Sequence, residues 1–177
     1  MSVFNKIKAW FFYRFLNRNI DDENRTKKIY NIKTATTIGI IYDASLSANI
    51  AIVSTYAEKL KNAGKKVVLL GYKNDKKAES SELMKLFNKA SLNWYKVPKD
   101  KEVDDFVKQQ LDILIAVHSS ENLPLQYIAA HSQAKFRMGP YLEKAKNSYD
   151  WMIHSEKDLT TDAFLKQVDF YLNSTNS

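Results

Sequence analysis

Two short polar stretches, each directly after an apolar run, hold side chains that could perform acid–base or anion-binding chemistry. The first contains Asp43 and Ser45, and the second contains His118, Ser119 and Ser120. An aspartate can orient a histidine as a general acid or base, and serines near a helix N-terminus can bind an anion. The same residue types also cap turns and end strands. We favour the structural role, and assign no catalytic residue, because no catalytic spacing signature accompanies these side chains.

Motifs for phosphorylated cofactors and for metals are missing from the sequence. The stretch after Tyr42 contains neither G-x-G-x-x-G nor G-x-x-x-x-G-K-[ST], so it encodes no backbone cradle for a pyrophosphate. The histidines His118, His131 and His154 lack metal-ligand spacing, and the chain has no cysteine. We therefore expect no cofactor and no metal, and the sequence leans against an enzyme.

The positive charge is concentrated near the start of the chain. The formal net charge is +7, and residues 1–33 carry eight lysines and arginines against three acidic residues, whereas 34–177 carry nineteen against seventeen. Such an asymmetry indicates an anionic partner, RNA or a membrane surface, although a solvated helix that aids solubility is an alternative. The candidate nucleic-acid contacts are Lys6, Lys8, Trp10, Arg14, Arg18, Arg25, Lys27 and Lys28.

A helix predicted over residues 3–18 is apolar on two sides. At helical spacing, one face carries Phe4, Ile7, Trp10, Phe11 and Phe15, and the opposite side carries Ala9, Phe12 and Leu16. Such a helix needs a partner on more than one face, either the body of the same protein or another macromolecule. If Phe4, Ile7, Trp10 and Phe11 pack on the body, the helix is structural and no RNA surface is expected there.

From residue 36 onward, strand and helix signals alternate. Such alternation predicts an α/β fold, a single doubly wound Rossmann-like domain with a mainly parallel sheet of five or six strands and helices on both faces. We expect this domain at 34–177 and a basic aromatic arm at 1–33. The predicted strands are 37–42, 66–72, 92–97, 112–117, 134–139 and 151–154, and the predicted helices are 48–62, 80–89, 101–110, 123–132 and about 160–172.

The order of the strands would decide where a ligand could bind. In an open α/β sheet the crevice lies beyond the carboxyl ends of the strands, where the strand order reverses. If that reversal falls between the first and fourth strands, the crevice brings the stretch at Asp43 and Ser45 together with the stretch at His118. These residues are therefore the crevice candidates.

Length and composition suit one globular domain. The chain has 177 residues, of which 45% are hydrophobic and 27% charged, so it can bury a core. The absence of cysteine suits a reducing cytosol. The apolar stretch 9–13 ends at Arg14, too short for an export signal or a membrane span. We expect a cytoplasmic protein.

Several motifs carry resemblances to known families. Over about residues 20–172, the chain resembles a family of small bacterial α/β proteins of unknown function, which implies a fold and a bacterial cytosolic setting but no substrate. The motifs are Ile38 to Ala44, Gly64 to Val67 with Leu70 to Tyr72, Pro124-Leu125 with Tyr127 to Ala130, and Ala134 to Phe136 with Gly139.

A second resemblance is confined to a small part of the chain. Asp112 to Val117, followed by the Ala-x-x-Arg-x-Gly pattern of 134–139, resembles part of the acceptor-side half of lipopolysaccharide heptosyltransferases. The Gly-Asp that follows the first strand in that family has no counterpart at 45–49. The resemblance therefore implies a Rossmann-like topology more than a reaction.

These observations predict a non-enzymatic binding protein that contacts RNA or a ribosome-like particle through its basic arm. Lysine and arginine supply phosphate contacts, and exposed aromatic rings supply stacking surfaces. A membrane surface is the less favoured partner, and the sequence contains no motif for sequence-specific DNA binding. The alternative function is a nucleotide-sugar-binding or glycosyltransferase-like protein that uses the crevice.

Overall fold

The computed structural model describes residues 3–19, 25–76, 85–118, 121–145, 147–154 and 159–174. Its helices are α1 (Val3–Asn19), α2 (Ser47–Asn62), α3 (Lys101–Val107), α4 (Leu123–His131) and α5 (Thr161–Ser174). Its strands are β1 (Thr37–Asp43), β2 (Lys66–Lys73), β3 (Leu86–Asn88), β4 (Ile113–Val117), β5 (Phe136–Pro140) and β6 (Trp151–Ile153).

The six strands form one parallel sheet in the order β3-β2-β1-β4-β5-β6. The strand order reverses between β1 and β4, which pair with Tyr42 opposite Val117. The crevice predicted by the switch-point rule therefore lies beyond Asp43 at the end of β1 and His118 after β4.

Helices cover both faces of the sheet because side chains alternate along each strand. On β1, Ile38 and Ile40 pack with Val53 of α2 and Phe164 of α5. Ile41 points to the other face, where the core is completed by side chains of α3 and α4. The predicted class, a doubly wound α/β fold with helices on both faces, is confirmed.

The segment between β2 and α3 differs from its prediction. A helix at 80–89 and a strand at 92–97 were expected, but residues 86–88 form the edge strand β3 and 89–91 a turn of 3-10 helix; positions 80–84 lie outside the described residues. Asn93 turns the chain, since its side-chain oxygen accepts hydrogen bonds from the backbone N–H groups of Tyr95 and Val97. Lys96 completes the turn with a φ of 74°, so an apolar run here becomes a loop.

The segment that precedes β1 is fixed to the body by a buried arginine. The Arg25 guanidinium donates to the backbone oxygen of Ala134 at 2.8 Å and to the carboxylate of Asp150 at 3.0 Å. Asp150 also accepts the backbone N–H of Arg137 at 2.9 Å. Because Tyr30 and Ala35 are buried in the main core as well, residues 25–35 pack as part of the α/β body.

In the described part of the chain, none of the helices combines the length and apolar character needed to cross a bilayer.

Candidate functional site

Helix α1 docks on the body through the face that carries Phe12 and Leu16. Their side chains are 0% and 1% exposed and pack against Val97 and Ala130. Side chains of α4 and of the 93–97 turn pack around them. The helix is therefore fixed on one side by ordinary hydrophobic burial.

The other apolar face of α1 points to solvent. Ile7, Trp10 and Phe11 are exposed, with Trp10 at 56%. Ile7 and Trp10 are therefore not buried on the body, whereas Phe11 also contacts the ring of Trp94. The side chain of Phe4 lies outside the described residues. Phe15, expected on the same face, instead contacts Tyr95 and Tyr127 at the edge of the docked face.

The exposed rings of Trp10, Phe11 and Trp94 form a continuous ridge, here called the aromatic ridge. The centre of the Phe11 ring lies 4.8 Å from the ring centre of Trp10 and 4.9 Å from that of Trp94. Both pairs have edge-to-face geometry. Trp94 belongs to the turn after the 3-10 helix and is itself 53% exposed. The ridge thus joins Trp10 and Phe11 of α1 to Trp94 of the body. These contacts fix the positions of the three rings relative to one another.

Beside the ridge, α1 and the body line an open pocket of about 730 Å³, here called the α1 pocket. Trp10, Lys6 and Arg14 line it from α1, while Glu121 and Lys144 line it from the body. The Arg14 guanidinium lies 5.5 Å from the centre of the Trp10 ring, so a cation and an exposed ring are combined at its mouth.

The switch-point crevice, of about 470 Å³, adjoins the α1 pocket, since Ala9 and Glu121 line both. Its polar groups are bonded to one another. The Asp43 carboxylate accepts the backbone N–H of Ser45 at 2.9 Å and the side-chain amide of Asn122 at 3.3 Å. Asn122 in turn caps α4 by accepting the N–H of Leu125, and the Ser45 hydroxyl accepts the N–H of Asn74.

The structure does not join Asp43 to His118. Each bonds another group, and among the described residues no hydrogen bond links the two. His118 is buried, with Nε2 2.9 Å from the Tyr149 hydroxyl, and burial raises the pKa of Tyr149, which keeps this phenol protonated. The Tyr149 ring passes over Gly139, where a Cβ would lie 2.4 Å from the ring. Ser119 and Ser120, the remaining crevice candidates, lie outside the described residues.

Lysines add positive charge at the crevice. Lys8 of α1 and Lys96 of the turn both line it. Burial, followed by the charges of Lys89 and Lys8, lowers the pKa of Lys96 from its ordinary value. The charges of Lys89 and Lys8 are therefore close enough to act on Lys96 at the crevice.

The sequence-predicted basic residues fall into two groups. Lys6, Lys8, Trp10 and Arg14 belong to α1 and border the two cavities; the side chain of Arg18 lies outside the described residues. The second group lies on the body, where Lys27 and Lys28 are exposed but Arg25 is buried against Asp150. Arg25 is therefore committed to the fold and offers no surface to a partner.

Sequence reasoning missed three residues of this surface, namely Trp94, Glu121 and Lys144. Each lies in a connection far along the chain from α1, so no local spacing could assign it to the site. The one available signal is the aromatic pair Trp94-Tyr95 next to Lys96, in a run that the sequence predicts as a strand.

Within the described residues, no three histidine, aspartate or glutamate side chains converge to hold a metal ion. Comparison with curated proteins and with solved structures found no match. A family model matches residues 8–174, from the second turn of α1 to the end of α5. On that match the chain belongs to the family of unknown function DUF6913.

Proposed function

We propose that this protein binds single-stranded RNA, free or within a ribonucleoprotein particle, through the aromatic ridge and the cations around the α1 pocket. The observation that carries the proposal is the docking of α1 by Phe12 and Leu16, which leaves Trp10 and Phe11 exposed beside Trp94. Unpaired bases stack on exposed aromatic rings in proteins that bind single strands. The ridge supplies such rings in a fixed arrangement.

The surrounding charge supports a phosphate backbone as the partner. Lys6 and Arg14 are exposed on α1, and Lys144 is exposed across the α1 pocket. Each phosphate neutralised by such a cation releases counterions, and this makes the affinity depend on salt. Three contacts with a single strand correspond to a slope of about 2 in the logarithm of affinity against the logarithm of salt concentration.

The shape of the surface favours RNA over a lipid bilayer. A helix that lies in a membrane interface presents one broad apolar face. Here the exposed rings border a concave pocket that also contains Glu121 and Asn17. A negative and an amide side chain at this position suit a polar ligand with planar groups better than acyl chains.

The glycosyltransferase-like alternative, as the sequence suggests it, would need the polar groups at the carboxyl end of β1 and the start of α4 to be free. The Asp43 carboxylate, the Ser45 hydroxyl and the Asn122 side chain are instead engaged in hydrogen bonds that shape β1 and α4. We therefore place the function at α1, and binding of nucleotide sugars is an outcome that would contradict this.

The test is fluorescence anisotropy of the full chain with a labelled twelve-nucleotide RNA at several salt concentrations. The double variant Lys6→Glu, Arg14→Glu should weaken binding and lower the salt slope by about 1.4, since about 0.7 is lost per contact. Trp10→Ala should weaken binding by about 1 to 3 kcal/mol and leave the slope unchanged, because stacking is not a charge effect.

Matched control variants distinguish binding at this site from general effects of net charge and of exposed aromatic rings. Lys66→Glu with Lys108→Glu changes the net charge equally at exposed positions on β2 and at the end of α3. Phe170→Ala removes an exposed ring from α5. Both should bind RNA as the parent does. Equal loss in all variants, or binding to anionic phospholipid vesicles without binding to RNA, would contradict the proposal.

A further inference from the structure

The α1 pocket contains one acidic side chain among its cations. Glu121 is the only carboxylate among the described residues that line it, opposite Lys6, Arg14 and Lys144. A pocket that bound phosphates alone would gain nothing from a carboxylate, because like charges repel one another. The open pocket, at about 730 Å³, is of a size that accommodates small organic ligands. Glu121 is therefore placed to recognise a donor group on something larger than a phosphate.

A partly buried hydrogen-bonded chain holds Glu121 in position. The Tyr13 hydroxyl donates to Glu121 Oε1 at 2.8 Å. Burial, followed by this hydrogen bond, raises the pKa of Tyr13 above its ordinary value, so the phenol remains a donor at neutral pH. Behind Tyr13 lies Gln126, whose Oε1 is 3.0 Å from the same hydroxyl. Glu121 Oε2 bonds no other described residue, and Oε1 keeps a second lone pair beside the Tyr13 proton, so both oxygens can accept from a ligand.

Gln126, at the buried end of these hydrogen bonds, supports a role for them beyond folding. Its side chain is fully buried, and its Nε2 has no hydrogen-bond partner among the described residues. An amide rotated by 180° would donate from Nε2 to the Tyr13 oxygen, and the Tyr13 proton would then be directed to Glu121 alone. In either orientation, Glu121 is the acceptor at the surface end of the chain.

We infer that the α1 pocket accepts one unpaired nucleotide and prefers guanine, an inference that rests on the proposed RNA binding. On its Watson–Crick edge, guanine carries two adjacent N–H donors, which one carboxylate can accept together. Adenine and cytosine place a ring-nitrogen acceptor beside their amino group, and uracil flanks one N–H with two carbonyls. Those acceptors would face the negative charge of Glu121. Trp10 provides the stacking surface, and Lys6, Arg14 and Lys144 hold the adjoining phosphates.

The experiment compares four twelve-nucleotide RNAs, uridine throughout or with a single central guanosine, adenosine or cytidine, by anisotropy with the full chain. The guanosine-containing strand should bind about tenfold more tightly than the uridine strand, since a bidentate base contact discriminates by about 1 to 3 kcal/mol. Glu121→Gln keeps an acceptor for Tyr13 but loses the paired carboxylate oxygens. It should abolish the guanosine preference, so that the guanosine and uridine strands bind the variant with equal affinity.

Glu143→Gln, a loss of the same charge at an exposed position next to Lys144, is the control and should keep the preference. Binding to the uridine strand without any gain from guanosine overturns this inference and leaves the proposed function standing. A guanosine preference that survives Glu121→Gln also overturns it. Failure of every strand to bind refutes the proposed function itself.

Discussion

Trp10 and Phe12 lie two positions apart on α1 and face opposite sides of the helix, with exposed fractions of 56% and 0%. Two residues correspond to slightly more than half a turn of helix, so these two aromatic side chains lie in different environments although they are close in sequence. Phe12 fixes the helix to Val97 and Ala130. Trp10 remains available to a partner because Phe12 holds its helix in place.

Substitution of these two residues should therefore affect stability very differently. Phe12→Ala leaves a cavity under α1 and should lower the free energy of unfolding by about 3 to 5 kcal/mol. Trp10→Ala removes a surface side chain and should change it by no more than about 0.5 kcal/mol. Urea unfolding followed by circular dichroism measures both values. A larger loss for Trp10→Ala than for Phe12→Ala would mean that the helix docks by its other face.

The buried ion pair of Arg25 predicts a second strong effect. Arg25→Met removes the donor to the backbone oxygen of Ala134 and one of the donors to Asp150, which keeps the N–H of Arg137. We expect a loss of about 1 to 3 kcal/mol in the free energy of unfolding, because the buried Ala134 oxygen is left without a donor. Lys61→Met breaks an exposed pair with Glu58 and should cost less than about 1 kcal/mol. Similar losses in the two variants would show that Arg25 is not buried in solution.

Asp112 predicts how stability changes with acid. Burial acts to raise its pKa, but the N–H groups of Thr36 and Thr37 and the ammonium of Lys135 outweigh it and lower the pKa to about 2. Because the folded pKa lies below the unfolded value of about 3.9, the stabilisation is complete above pH 4 and is lost as the pH falls through 2.

Asp112→Asn should therefore flatten the pH dependence of the free energy of unfolding between about pH 4 and 2, by up to about 2 kcal/mol. Asp104→Asn, an exposed carboxylate on α3, controls for the loss of one surface charge. The measurement is urea unfolding at a series of pH values. An Asp112→Asn profile that matches the parent over this interval would show that the carboxylate is not held as described.

The hydrogen bonds of the switch-point crevice predict a structural phenotype. Asn122→Ala removes the cap of α4 and the donor to Asp43, and should cost about 1 kcal/mol of stability. Differential scanning fluorimetry with NAD, ATP and nucleotide sugars should give no saturable shift, whereas a ligand at 100 times its dissociation constant stabilises by about 2.7 kcal/mol. A saturable shift that is lost in Asp43→Ala would transfer the function to the crevice.

The sheet could be predicted from the sequence because its central strands are nearly continuous apolar runs. The runs at 37–42 and 112–117 correspond to β1 and β4, which helices bury on both faces. Strand β3 has three residues, Leu86–Asn88, too few for any periodicity, and it pairs with β2 only through long-range contacts. The run 92–97 was interpreted as a strand because the turn made by Asn93 depends on side-chain hydrogen bonds that composition does not reveal.

The site could be predicted only in part, for a similar physical reason. The cations and rings of α1 belong to one local pattern, so their concentration is visible in the sequence. The docking face of α1 is not visible in the sequence, because both faces are apolar. The choice between them depends on the shape of the surface around Val97 and Ala130. Trp94, Glu121 and Lys144 join the surface through the folded chain alone, and no pattern within α1 indicates them.

Both edges of the sheet are short, since β3 (Leu86–Asn88) and β6 (Trp151–Ile153) have three residues each. An edge of that length offers few backbone groups to a foreign chain, which discourages strand addition and the aggregation that follows from it. Strand addition at either edge is therefore a poor way for another chain to bind this fold. Concentrated solutions of the folded protein should remain monodisperse with respect to edge-to-edge pairing.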